Sequence, residues 1–265
     1  MTSSSYVLAG QDSELERLRL QSRVWEPSGQ HLLDEIGSGQ GLRVLDVGCG
    51  AMCWLRLLSK WVGPSGQVVG TDIDDAMLSA ADSFVAEQSL RNVALIKDDI
   101  FATDLEPASF DLVHGRFQLS LGRPAEQMAA YVRLVRPGGT VVVEDVNPNS
   151  WQYVPKAPSL AELINLIRQV FAQLGLGDPS VVQLDMFRDA GIVIDARTEV
   201  IALPPGHPYQ RLPLQFAKGL HAPLEAIAGA DELARLEREA EQELQDPGRW
   251  GVTFTLFQTW GRRPS

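Results

Sequence analysis

The run VLDVGCGAMCWL sets Asp46 two residues ahead of Gly48, follows with Gly50 and Met52 at alternate positions, and leads into an apolar helical stretch. Glycines so spaced permit a tight turn and close approach of a ligand, and the amides opening the next helix favour negative charge. A dinucleotide pyrophosphate in that turn would be repelled by Asp46, whereas a cofactor carrying an ammonium and a sulfonium would be attracted. The dinucleotide fingerprint also asks for a third glycine, and Met52 stands there instead. About 20 residues on, where such folds carry an acid for ribose hydroxyls, VVGTDID supplies Asp72. KDDIF then supplies Asp99 followed by apolar Ile100, a pairing that suits adenine. The acid takes the exocyclic amine, and Ile73, Met77 and Ile100 pack on the ring. Asp72 also reads as a helix cap, and Asp98 could exchange roles with Asp99.

These residues need elements to hold them. Strand-like runs LRVLDVG, QVVGTDI, NVALIKDDI, FDLVHGR and GGTVVVEDV alternate with helical stretches near Cys53 to Val62, Asp75 to Glu87 and Ala125 to Val135. Val-rich runs that are apolar on both faces, in βαβα order, predict an α/β doubly wound, mostly parallel sheet with ligands at the carboxyl ends of its strands. Upstream, Asp12 to about Trp25 reads as an amphipathic helix ended by Pro27, with a second short helix from Ser28 to Ile36. Downstream come a helix of about Leu160 to Leu174, one strand over AGIVIDARTEVIAL, and one final strand over WGVTFTLFQTWGRR. The charged run DELARLEREAEQELQD reads as the solvated side of a helix burying Leu233, Leu236, Ala240 and Leu244. The expected organisation is an N-terminal helical cap (1–39), a cofactor-binding core (40–147), a helical lid segment with the sixth strand (148–203), a helical lid insertion (204–248) and a final strand completing the sheet (249–265).

Composition narrows the partners. A formal charge of −11 argues against nucleic acid, whose nonspecific binding rests on clustered Lys and Arg. No apolar run approaches the roughly 20 residues of a membrane span, and the first residues lack the basic start and apolar block of a secretion signal. A cytoplasmic protein, monomer or homodimer, binding a small molecule rather than a membrane is expected. The two cysteines, Cys49 and Cys53, are too few for a disulfide framework, and no metal site is expected on them without a suitably spaced His pair.

In this order and spacing, VLDVGCG, GTDI, KDDIF, FDLVHGRF and LVRPGGTVVVED resemble the class I S-adenosylmethionine-dependent methyltransferases over about residues 40–147. More loosely, WEPSGQHLLDEIG and FTLFQTWGRRP are similar to a bacterial group of small-molecule methyltransferases. The resemblance implies a seven-stranded Rossmann-like sheet whose last strand is antiparallel, and S-adenosyl-L-methionine as cofactor. It implies that Gly48 and Gly50 approach the methionine part and that Asp46 helps hold its ammonium. Asp72 would bind the ribose, Asp99 and Ile100 the adenine, and His114-Gly115-Arg116 would lie beside the methyl group. Family members often carry glycine where Met52 stands.

Methyl transfer needs an acceptor aligned behind the sulfur–methyl bond, and positioning alone supplies on the order of 7–11 kcal/mol. A hydroxyl or acidic-carbon acceptor would add a base, for which His114, Asp145, His207 and His221 are candidates. His114 reads equally as a hydrogen-bonded core residue, Asp145 as a turn acid and His207 as a loop residue. Trp151 and Tyr153 would wall the acceptor, and Trp25 with Arg23 would close over the cofactor, or each would serve as lid packing. The expected activity is methylation of a small, partly apolar molecule, with O-methylation of a secondary metabolite ahead of C- or N-methylation. Two rivals stand beside it: a methyltransferase-like protein that binds the cofactor but acts as a cyclase or non-methylating protein, and an NAD(P)-dependent oxidoreductase.

Overall fold

The computed structural model describes residues 12–51, 54–118, 123–173 and 179–264. Met52 and Cys53 therefore lie outside the described residues. The chain runs α1 (Asp12–Ile36), β1 (Arg43–Val47), α2 (Trp54–Val62), β2 (Gln67–Asp72), α3 (Asp75–Glu87), β3 (Val93–Lys97), β4 (Phe110–Arg116), α4 (Pro124–Leu134) and β5 (Val135–Asn147). It continues through β6 (Gln152–Val154), α5 (Pro158–Gln173), α6 (Pro179–Asp189), β7 (Ile194–Glu199), β8 (Ala202–Leu203), α7 (Leu212–Gly219), α8 (His221–Ala228), α9 (Ala230–Glu243), β9 (Trp250–Val252) and β10 (Thr255–Arg262). Two compact units result. One holds the described residues of 22–146, 178–198 and 256–265, the other those of 1–21, 147–177 and 199–255.

The first unit is built on a seven-stranded sheet of order β3-β2-β1-β4-β5-β10-β7. The pairs β1–β2, β1–β4, β2–β3 and β4–β5 are parallel. Arg263 exchanges backbone bonds with Gly138 and Gly139 at the start of β5, while Gln258 reaches Glu144 near its end. Moving up β5 thus means moving down β10, so the last strand is antiparallel. Alternate residues of each central strand enter opposite cores. Leu45, Val69, Val113, Val141 and Val143 join Tyr131 and Phe187 on one face. Val44, Val68, Leu112 and Val142 join Trp54, Leu58 and Leu33 on the other. Burial on both faces is why these strands are apolar runs rather than alternating ones.

The second unit carries a three-stranded antiparallel sheet, β6-β9-β8, and helices α5, α7, α8 and α9. Helix α9 buries Leu233, Leu236 and Ala240, as its pattern requires, and Leu244 just beyond it is half-buried. The Glu243 carboxylate accepts from the amides of Ser159 (3.0 Å) and Leu160 (2.9 Å), placing an anion on the positive end of α5.

Three expectations about elements change. Pro27 does not end a helix: α1 is continuous through it. Its buried residues, Trp25, Ser28, Leu32 and Leu33, keep helical spacing across the proline, and Pro27 itself is exposed, so water can satisfy the carbonyl it leaves free. The single strand expected over 190–203 is two, β7 in the larger sheet and β8 in the smaller. The final strand is likewise two, β9 and β10. Both breaks fall where Ile201 and Thr253 bond each other, through Ile201 N to Thr253 Oγ1 (2.9 Å) and Thr253 N to Ile201 O (3.0 Å). Apolar patterning alone cannot mark such a transfer between sheets.

A proline inside a continuous helix sacrifices a hydrogen bond and costs up to about 3 kcal/mol. Pro27→Ala is therefore expected to raise unfolding free energy by about 1–3 kcal/mol in denaturant titrations; a neutral result would indicate a chain already broken there.

Candidate functional site

The carboxyl ends of β1, β2, β3 and β4 bring together most of the residues singled out from the sequence. Gly48 and Gly50 have φ of +60° and +55°, left-handed values that glycine adopts without strain. A Cβ on Gly48 would strike the Gln118 amide at 2.4 Å, whereas the space above Gly50 is open. Asp72 ties this turn to the next element, accepting from Gly50 N and Asp74 N at 3.0 Å each. Asp74, not Asp72, caps α3, accepting from Ala76 N and Met77 N. Burial pushes the Asp72 carboxyl up from the ordinary carboxylate value, against the amides of Asp74 and Gly50 that pull it down.

Ile73 follows with 55% of its surface exposed, an apolar side chain left uncovered beside the turn. Met77 and Ile100 are buried. Asp99 accepts from Phe101 N at 3.0 Å, while burial pushes Asp98 up and leaves its Oδ2 without a partner among the described residues. Gly115 packs against Tyr131, whose hydroxyl a Cβ there would meet at 2.0 Å. Arg116 stacks over Phe117, 5.1 Å from ring centre to guanidinium carbon. A cavity of about 350 Å³ lined by Ile100, Phe101, Thr103, Glu126, Ala130 and Arg133 shares only Ile100 with this set. It contains none of the glycine turn.

Beneath the turn runs a buried row of charge. Asp46 and His114 face each other in register on β1 and β4, and Glu144 lies on β5 two residues beyond the partner of His114. His114 Nδ1 meets Asp46 Oδ1 at 2.7 Å, and Nε2 meets Glu144 Oε1 at 3.0 Å. The other Glu144 oxygen accepts from Gln258 Nε2. All four residues are buried. Burial alone would push the imidazole down, but the bonds to Asp46 and Glu144 reverse this and hold it above its ordinary 6.5. Burial would raise Glu144, yet its bond to His114 and the nearby Arg116 charge hold it below the ordinary 4.5. Trp54, the first residue of α2, lays its ring on the imidazole with centroids 3.9 Å apart.

The remaining candidates divide. Asp145, at the end of β5, is buried and accepts from Val146 N at 2.8 Å. Trp25 is fully buried and Arg23 exposed in α1. Trp151, Tyr153, His207 and His221 all fall in the second unit. Trp151 meets Phe216 and Phe254 edge-on, and the Tyr153 hydroxyl donates to Gln210 O. His207 Nδ1 accepts from Tyr209 N at 3.2 Å, and burial pushes its pKa down. His221 is exposed and lies 3.5 Å from Glu225. Sequence reading overlooked Glu144, Trp54 and Gln258. The usable signal was an acid inside VVVED, since a carboxylate within a strand buried on both faces demands a donor.

A family model described as a methyltransferase domain matches residues 38–197, more than half of the chain. The chain belongs to this methyltransferase family. Among similar proteins, the demethylmenaquinone methyltransferase of Lactococcus lactis is 32% identical over 124 residues, 44% of this chain and 47% of that protein. The chain thus spans about half the length of the curated relatives it matches. A structure of a Bacillus halodurans putative methyltransferase superposes with TM-score 0.58 at 16% identity, covering 90% of this chain and 100% of the other. Phosphoethanolamine N-methyltransferase 2 of Haemonchus contortus, solved in complex with S-adenosyl-L-methionine, gives 0.50 at 19% identity over 85% of this chain and 49% of that one. At such identities the two structures attest the α/β Rossmann-like fold.

The matched residues form a methyltransferase domain, and the donor set at the glycine turn fits S-adenosyl-L-methionine. Asp46 Oδ2 is buried with no partner among the described residues, so the turn ends on an unsatisfied negative oxygen suited to an ammonium. Open space above Gly50 and the uncovered Ile73 leave room for the rest.

The charge row gives stability a defined pH window. His114, raised by folding, contributes fully below 6.5 and loses that contribution as pH rises through its folded value; Glu144, lowered, contributes above 4.5 and loses it as pH falls through its own. The melting temperature is expected to fall as pH rises past 6.5 toward the folded pKa of His114, with imidazole NMR shifts titrating over the same range. A midpoint independent of pH there would contradict a charged His114.

Proposed function

We propose that this protein transfers a methyl group from S-adenosyl-L-methionine to a small, partly apolar molecule, with an oxygen of a secondary metabolite as the methylated atom. The observation that carries the cofactor assignment is the buried oxygen of Asp46, without a partner among the described residues, beneath the left-handed turn of Gly48 and Gly50. A pyrophosphate would add negative charge to Asp46 and Asp72, which counts against a nicotinamide dinucleotide. In this reading Asp46 receives the cofactor's ammonium, Gly48 and Gly50 admit its methionine part, Asp72 accepts from the ribose hydroxyls, and Asp99, Ile73, Met77 and Ile100 hold the adenine. Gly115 and Arg116 border the methyl-bearing end.

When bound, the cofactor supplies an electrophilic methyl on a sulfonium; the protein's part is alignment and, for a hydroxyl acceptor, proton removal. Asp145 is the proposed base, a buried carboxylate at the end of β5. The proposal of an apolar acceptor draws support from relatives named demethylmenaquinone methyltransferase.

Calorimetry is expected to find micromolar binding of S-adenosylmethionine or its demethylated product and no competing NAD binding. Asp72→Ala should weaken that binding by about 1.5–3 kcal/mol, the value of hydrogen bonds to a charged group; unchanged affinity in a folded variant would remove the ribose role. With an acceptor found from a panel of phenols and quinols, Asp145→Asn should lower kcat by about 100-fold or more while leaving cofactor affinity intact. A C- or N-methylated product would overturn the oxygen assignment.

A further inference from the structure

The buried row beneath the glycine turn has a donor arithmetic that identifies what it does. A neutral imidazole carries one N–H, yet both nitrogens of His114 lie within hydrogen-bond distance of carboxylate oxygens, Asp46 on one side and Glu144 on the other. Two donors are needed, which an imidazolium supplies. The Trp54 ring against its face favours the same form, because a cation is attracted to an aromatic face. The charged groups acting on the ring are Asp46 and Glu144, and the charge of Arg116 is felt on the Glu144 side.

The satisfaction of the two acids is unequal. Glu144 has both oxygens engaged, by His114 and by Gln258, and Gln258 also reaches Ser28 O at 3.4 Å. Asp46 has one oxygen engaged by His114 and the other buried without a partner among the described residues. A purely structural ion row would close on itself, since an unmatched buried carboxylate oxygen is costly. Gln258 Oε1, beyond Glu144, is also buried without a partner among the described residues, but of the two carboxylates only Asp46 keeps an open oxygen.

We propose that His114 is a positioning residue for cofactor capture: by occupying Asp46 Oδ1 it fixes the rotation of that carboxylate and leaves Oδ2 for the ammonium of S-adenosylmethionine. Glu144, steadied by Gln258, holds the imidazolium from behind, and Trp54 keeps its plane. His114 acts through Asp46 and needs no contact with the acceptor. The proposal rests on the cofactor reading above and extends it to residues outside the cofactor's reach.

The test compares S-adenosylhomocysteine, which has the ammonium, with 5′-methylthioadenosine, which keeps the adenosine and sulfur but lacks it. In calorimetry, His114→Gln and Asp46→Asn are expected to weaken S-adenosylhomocysteine about tenfold or more while leaving 5′-methylthioadenosine within twofold of wild type. Equal loss of both ligands, or loss of neither, would overturn the positioning role and leave the cofactor assignment standing. Failure of the wild-type protein to bind either would overturn both. Should His114→Gln not fold, ¹⁵N-histidine spectra of the wild type decide the matter, with His31, His207 and His221 assigned by substitution. The His114 ring signals should move on adding S-adenosylhomocysteine and stay in place with 5′-methylthioadenosine; equal movement with both would overturn the proposal.

Discussion

Two carboxylates, Asp46 and Glu144, are buried on the same face of the central strands, and a sheet can hold them there only if donors are delivered to the same place. His114 lies between them because β4 lies between β1 and β5, with Asp46 and His114 in register. A one-residue slip of β4 would turn His114 to the opposite face and leave both acids stranded. The polar row therefore enforces strand order and register at the middle of the sheet, where apolar packing alone would tolerate more than one arrangement. It also ties in the last strand, since Gln258 of β10 completes Glu144.

The same row determines what the turn above it can accept. A helix N-terminus by itself attracts anions, and a glycine turn by itself allows a phosphate to approach. Here Asp46 sits under the turn with one oxygen unpaired among the described residues, and Asp72 closes the turn through Gly50 N. Cys49 between them is pushed well up by burial and by both acids, so it adds no thiolate. The local field therefore selects a cationic group where the backbone geometry resembles an anion site.

The second unit follows a different logic. Its buried side chains are mostly aliphatic, from Leu160 and Leu163 of α5 to Leu233 and Leu236 of α9, and beside them Phe216 lies edge-on to both Trp151 and Phe171 with Arg17 over its ring. Tyr153 on β6 and Gln210 in the 3-10 turn Pro208–Arg211 are buried and donate to backbone carbonyls. Polar groups are used to fix segment paths while the apolar side chains supply bulk. Trp151 and Tyr153 take part in this packing.

The alternating βαβα pattern, the strand bounds of FDLVHGR, the helix at Asp75–Glu87 and the ordered acids Asp46, Asp72 and Asp99 were legible in the sequence, because each depends on local period or on turn chemistry that neighbours in the chain encode. The continuation of α1 through Pro27 was not, since it follows from a buried face that outweighs one lost hydrogen bond. Nor were the breaks that send β7 and β8, or β9 and β10, to different sheets, because the bond between Ile201 and Thr253 joins residues 52 positions apart. The pairing of His114 with Asp46 and Glu144 spans 68 and 30 positions. By itself the sequence determined which side chains carry charge and which strands carry them. Only the tertiary structure decided that His114 has both nitrogens committed and that Asp46 keeps one oxygen open, because hydrogen-bond partners across a parallel sheet are set by register between distant segments.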